Sequence, residues 1–150
     1  MNPDSHRAAL DRAIGYFESL TEATVADLPR FYTEDAYFKD PFNEVRGVAQ
    51  ITAIFAAMYG PLADPRFQVT ESIQEGERAL LVWNFTFRIR KYQPKVTQTI
   101  RGVSHLHLAP DGRIAFHRDY WDAAEELYAK LPLLGALMRW LQNRLRVAAR

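Results

Sequence analysis

From Ala79 to Lys91 the side chains alternate without a break. Leu81, Trp83, Phe85, Phe87 and Ile89 fall on one face, and Asn84, Thr86, Arg88 and Arg90 on the other. A period of two is the mark of a strand, and a face this apolar demands a core beside it. The same period predicts strands at Phe67–Gln74, Val96–Leu108 and Ile114–Trp121. Turns at Glu75-Gly76-Glu77, Tyr92–Pro94 and Pro110-Asp111-Gly112 separate them. Val96, Ile100, Leu106 and Leu108 are expected to share one face of the third strand.

The first half of the chain has a different period. Leu10, Ala13, Ile14, Phe17 and Leu20 recur at helical spacing within Ser5–Leu20, with Ser5 as a candidate cap. Thr24–Tyr32 reads as a short second helix capped by Thr24, followed by a short strand at Ala36–Asp40 that Pro41 stops. Val48–Tyr59 reads as a third helix, ended by Gly60-Pro61. After the strands, Asp122 is placed to cap a helix at Ala123–Lys130, and Pro132 breaks it before a last helix at Leu133–Val147. Helices first and a run of long strands afterwards is an α+β order, not the alternation of a parallel sheet. The long strands must curl over the helices, which makes a cone-shaped, curved antiparallel sheet with an enclosed space. At 150 residues one domain is expected over 1–150, with 132–150 as a helical extension.

Composition removes several kinds of chemistry. There is no cysteine, so disulfides, thiolate nucleophiles and Cys-ligated metals are excluded. A net charge of +1 argues against a nucleic-acid partner. No stretch approaches the ~20 apolar residues of a membrane span, and the polar MNPDSHRAAL start lacks the apolar run of a signal peptide. A cytoplasmic location is the expectation, with membrane association unlikely. The C-terminal stretch is amphipathic and basic, and packing on its own domain or a partner subunit is its expected use. Phosphate loops, HExxH and GxSxG are absent, and neither a cofactor nor a metal is called for.

Two phrases carry candidate chemistry. In DAYFKDPFNEVRG, residues 35–47, Ala36, Phe38 and Asp40 share a face. If that face looks inward, Asp40 sits at the edge of an apolar space. Asp40-Pro41 also has the form of a plain turn, with the carboxylate accepting nearby backbone N–H groups. In HRDYWD, residues 117–122, His117, Asp119 and Trp121 share a face. A buried Asp119 needs a partner, and either His117 or an arginine at the sheet edge would serve. His105 and His107 lie opposite Leu106 and Leu108, on an outer or dimer-facing surface.

FYTEDAYFKDPFNEVRG, residues 31–47, and GRIAFHRDYWD, residues 112–122, together with the element order, resemble the nuclear transport factor 2-like superfamily. That superfamily includes ketosteroid isomerases, SnoaL-like polyketide cyclases and limonene epoxide hydrolases. The resemblance covers roughly Ala8 to Tyr128. It implies a cystatin-like α+β barrel, a deep pocket for a hydrophobic small molecule and a homodimer. Asp40 corresponds to the isomerase general base, Tyr16 to its oxyanion-stabilising tyrosine, and Ser104 to the position of its second, protonated-Asp donor. Asp119 corresponds to the general acid of the epoxide hydrolases, whose Arg and second Asp are replaced here by Phe85 and Phe87.

The resulting expectation is proton transfer next to a carbonyl, with Asp40, Tyr16 and Asp119 as catalytic candidates. Phe38, Trp83, Phe85, Phe87, Ser104 and His117 would form the ligand-binding surroundings. The alternative is a non-catalytic ligand-binding or dimerisation module of the same fold.

Overall fold

The computed structural model describes residues 3–126 and, beyond them, residues 136, 137, 140 and 143. The expected final helix and the 132–150 extension lie largely outside the described residues. The elements are α1 (Pro3–Glu18), a 3-10 helix (Glu22–Arg30), β1 (Tyr32–Lys39), β2 (Glu44–Arg46), α2 (Val48–Met58), β3 (Leu62–Glu75), β4 (Arg78–Ile89), β5 (Gln93–Leu108), β6 (Ile114–Tyr120) and α3 (Ala123–Glu126).

One six-stranded sheet has the order β2-β1-β6-β5-β4-β3. Four of its five pairings are antiparallel, but β1 and β6 run parallel, with Phe38 opposite His117 and Lys39 opposite Arg118. The sheet is the expected curved antiparallel one except at that one seam. Register shifts in β3, β4 and β5 bend the long strands, because each unpaired residue kinks the ladder. The concave face carries Leu81, Trp83, Phe85 and Phe87 from β4, Ile100 and Leu106 from β5, and Phe38 from β1. Leu10, Ala13 and Phe17 of α1, with Ile51 and Phe55 of α2, close over it. Burial of these apolar faces is the main driving force for the fold.

Local chemistry explains where elements begin and end. α1 already runs through Ser5, so Ser5 is not its cap. The second helix is 3-10 in form and is capped by Thr21: the Thr21 hydroxyl accepts from Thr24 N, and Thr24 Oγ1 accepts from Thr21 N at 2.9 Å. Thr24 is thus the third residue of a capping box, not the cap. Asp122 does cap α3, its Oδ1 accepting from Ala124 N at 2.9 Å and Glu125 N at 3.0 Å. The β5–β6 turn matches its Pro-Asp-Gly sequence, with Gly112 at φ +84° and Asp111 Oδ1 accepting from Arg113 N. Val96 is exposed and does not join Ile100 in the core, because the start of β5 projects beyond the packed face.

Candidate active site

A cavity of about 370 Å³ opens between the concave sheet and α2. Its walls are apolar: Phe38, Phe67, Trp83, Phe85, Phe87 and Ile100 from the sheet, with Ile54, Phe55 and Met58 from α2. Phe67 and Phe85 stack at 4.4 Å between centroids, and Phe85 lies 5.1 Å from Phe87. Phe42 and Trp121 also line it and meet edge to face at 5.5 Å. The polar lining residues are Asp40, Asn43 and Asp119. Apolar walls with few polar groups are what small-molecule sites look like.

The two carboxylates arrive by simple alternation. Phe38 faces inward from β1 and His117 faces inward from β6, and these two residues are register partners. Two residues further along each chain come Asp40 and Asp119, on the same inner side.

Asp119 is held from behind. Its Oδ1 accepts from Ser104 Oγ at 2.5 Å and from His117 Nε2 at 2.7 Å. Ser104 in turn accepts the indole N–H of Trp83 at 2.8 Å. The other nitrogen of His117 lies 2.6 Å from the hydroxyl of Tyr32, which is fully buried. One proton assignment satisfies every buried donor here: Tyr32 donates to Nδ1, and Nε2–H donates to Asp119. An imidazolium would leave the Tyr32 proton with no acceptor. Burial, and secondarily the charge of Asp119, push the Tyr32 phenol well above its usual range. Oδ2 of Asp119 receives no hydrogen bond from the described residues, and the residue lines the cavity. Among the described residues its charged-group partner is His117, and no arginine pairs with it.

Asp40 has a different setting. Oδ1 accepts from Phe42 N at 2.7 Å, Asn43 N at 2.6 Å and Asn43 Nδ2 at 3.1 Å, while Oδ2 accepts, among the described residues, only from Asn43 Nδ2 at 3.0 Å. Asp40 therefore fastens the turn after β1 and still borders the cavity.

Tyr16 is not part of this constellation. It does not line the cavity, and its hydroxyl donates to the carbonyl of Thr24 at 2.8 Å. Its ring stacks on Phe31 at 4.1 Å. Burial, then Asp27 and Tyr59, raise its pKa to about 12. Ser104 and His117 border a smaller inner space behind the cavity, shared with Trp83 and Asp119. Ser104 gives its proton to Asp119, so it acts on the carboxylate and not on a ligand oxygen.

Gly102 is a contributor that the strand pattern does not announce. It pairs with Trp83 across β4–β5, and a Cβ on it would come within 3.0 Å of three carbons of that indole. Only glycine lets the ring lie flat on β5 and reach Ser104. His105 and His107 do lie on the outer face, 3.0 Å apart, with His107 stacked on Phe116. Among the described residues no group of three or more His, Cys, Asp or Glu side chains is placed to hold a metal. Nor is any described helix long and apolar enough to cross a membrane.

A six-stranded concave sheet closed by helices over a carboxylate-rimmed apolar cavity defines a pocket protein of the nuclear transport factor 2-like class. The SnoaL-like domain model matches residues 13–117, and the chain belongs to that family. The match ends two residues short of Asp119. Among solved structures, the chain is similar to an epoxide hydrolase of the limonene epoxide hydrolase-like kind from M. tuberculosis, at 15% identity and a TM-score of 0.66, covering 93% of this chain and 97% of that one. It is similar to TsrD from Streptomyces laurentii, at 16% identity and 0.67, covering 91% and 98%. A nuclear transport factor 2-like protein of unknown function from Burkholderia pseudomallei matches at 16% identity and 0.68, covering 83% and 95%. At these identities the likeness is one of fold. No curated protein matches the sequence.

Proposed function

We propose that the protein binds a hydrophobic small molecule in the cavity and moves a proton next to a carbonyl, with Asp119 as the acid–base group. The observation that carries this reading is the asymmetry of Asp119: Oδ1 is clamped by Ser104 and His117, while Oδ2, at the edge of an apolar cavity, has no hydrogen-bond partner among the described residues. A general base needs an oriented carboxylate with a lone pair left for the substrate, and a positioned group of this kind contributes about 10²–10⁴-fold to rate. Asp40 borders the same space, but three donors converge on its Oδ1, so it serves better as a wall and turn fastener than as the base that the resemblance implies. Tyr16 supplies no oxyanion contact from its position on Thr24.

The placement of Tyr16 also favours a second reading, a module that binds its ligand without turning it over. Isomerisation of a β,γ-unsaturated ketone separates the two. Under the enzyme reading, Asp119→Asn lowers kcat by about 10²-fold or more while the ligand still binds. Equal turnover in wild type and Asp119→Asn removes Asp119 as the base, and no turnover on any carbonyl compound favours the binding module. A homodimer, which the family resemblance implies, belongs to the same reading.

A further inference from the structure

We infer that the ligand of this cavity carries a positive charge: a hydrophobic amine or quaternary ammonium compound. The inference rests on the pocket reading above and adds the charge of what fills it.

The cavity lining contains two carboxylates and, among the described residues, no lysine, arginine or histidine. Lys39 and Arg118 border an adjoining cleft that also reaches Asp40 and Asp119, but neither lines the apolar cavity and each is engaged elsewhere. Lys39 Nζ is 2.5 Å from Glu44 Oε2, and the Arg118 guanidinium lies over the Tyr120 ring at 4.6 Å. His117 donates Nε2–H to Asp119 as a neutral imidazole, so it orients that carboxylate without cancelling its charge. Two anions at the end of an apolar chamber are costly without a counter-charge. A bound cation supplies it.

The walls are suited to the same ligand. Eight of the lining residues are aromatic, Trp83 and Trp121 among them. The negative π-face of an aromatic ring attracts a cation, most strongly for indole and most strongly when water is excluded. The arrangement of acceptors agrees. Each carboxylate spends Oδ1 on the protein, and Oδ2 keeps capacity for a ligand. An anionic ligand would meet both carboxylates with no partner, and a neutral one would leave them uncompensated.

Three molecules of nearly equal shape test this: benzyltrimethylammonium, the uncharged neopentylbenzene, and benzylsulfonate. Their binding to the full chain is followed by the fluorescence of the cavity tryptophans and by NMR shifts of the Phe85 and Phe87 amides. The ammonium compound is expected to bind about tenfold tighter than its neutral isostere, and the sulfonate not at all. Asp40→Asn and Asp119→Asn should each shrink that preference without abolishing neopentylbenzene binding. Equal affinity for the ammonium and the isostere, with shifts at Phe85 and Phe87, would overturn the charge assignment and leave the pocket reading standing. A cation preference unchanged in both variants would overturn it as well. No binding by any of the three would remove both.

Discussion

His117 Nε2 and Asp119 Oδ1 meet at 2.7 Å on the inner face of β6, and Tyr32 holds the far side of the same imidazole at 2.6 Å. Three side chains from two parallel neighbours, β1 and β6, thus form one chain of hydrogen bonds ending at the cavity. Removing the hydroxyl at its buried end leaves Nδ1 without a donor. Tyr32→Phe should therefore cost about 1–3 kcal/mol, measured by urea unfolding. A change under about 0.5 kcal/mol would mean that the bond is not made in solution. If Asp119 is the acid–base group, the same variant should lower kcat more than it raises KM, because the imidazole loses its anchor and not the ligand its walls.

Gly102 sets the position of Trp83. A methyl group there must push the indole off β5 and away from the Ser104 hydroxyl. Gly102→Ala should destabilise the fold by about 1–3 kcal/mol, the usual range for overpacking. It should also alter the near-ultraviolet circular dichroism of Trp83. Unchanged stability and an unchanged tryptophan signal would show that the ring does not rest on this residue.

Much of this arrangement is legible in the sequence, and the illegible parts share a cause. The alternation of Leu81, Trp83, Phe85 and Phe87 places β4 and its buried face correctly, because period and hydrophobicity agree there. The inward setting of Asp119 beside His117 follows from the same two-residue period. β3 begins five residues before its apolar pattern does. Asp64 at φ +50° and Pro65 hide it, and both are tolerable because β3 is the sheet's edge strand. The polar Thr33-Glu34-Asp35 run likewise conceals the first half of β1. Contacts between distant residues were beyond reach in kind. Ser104 opposite Asp119 and Gly102 opposite Trp83 are register facts of paired strands. For Tyr16, the spacing to Asp40 suits a catalytic partner, but the hydroxyl finds a nearer acceptor in the 3-10 helix.

Two buried tyrosines differ in one respect that predicts opposite outcomes. Among the described residues the buried Tyr59 hydroxyl has no hydrogen-bond partner, whereas the Tyr16 hydroxyl donates to Thr24 O. A buried polar group without a partner costs its full desolvation. Tyr59→Phe should therefore be neutral or stabilising, by up to about 1 kcal/mol, and Tyr16→Phe destabilising by about 0.5–1.5 kcal/mol. Thermal melts of the two variants against wild type decide the matter. Equal losses in both would contradict the difference in bonding.

Alkaline stability follows from the same phenols. Burial raises the pKa of Tyr16 to about 12, and raises those of Tyr32 and Tyr59, against an ordinary value of 10.0. The folded state therefore holds protons that the unfolded chain releases near pH 10. The contribution is fully present below that pH and is lost as pH climbs through the folded values, between 10 and about 12 for Tyr16. Urea midpoints should fall steeply above pH 10, and less steeply in Tyr16→Phe. Tyrosinate absorbance of the native protein should show a fraction of the seven phenols still protonated at pH 11. Complete titration near pH 10, with the fold intact, would refute this.

Asp40 offers the cleanest separation of architecture from charge. Its Oδ1 takes the backbone N–H groups of Phe42 and Asn43, a role that an asparagine carbonyl can also fill. Asp40→Asn should keep the turn within about 0.5 kcal/mol of wild type, while Asp40→Ala leaves two N–H groups without their acceptor and costs about 1–2 kcal/mol. The turn carries Phe42, which meets Trp121 at the cavity lining, so the alanine variant should also loosen that contact. Chemical denaturation gives the first difference, and quenching of tryptophan fluorescence by acrylamide gives the second, with greater access expected in Asp40→Ala alone. If the asparagine variant loses as much stability as the alanine one, the negative charge of Asp40, and not its acceptor geometry, holds the turn.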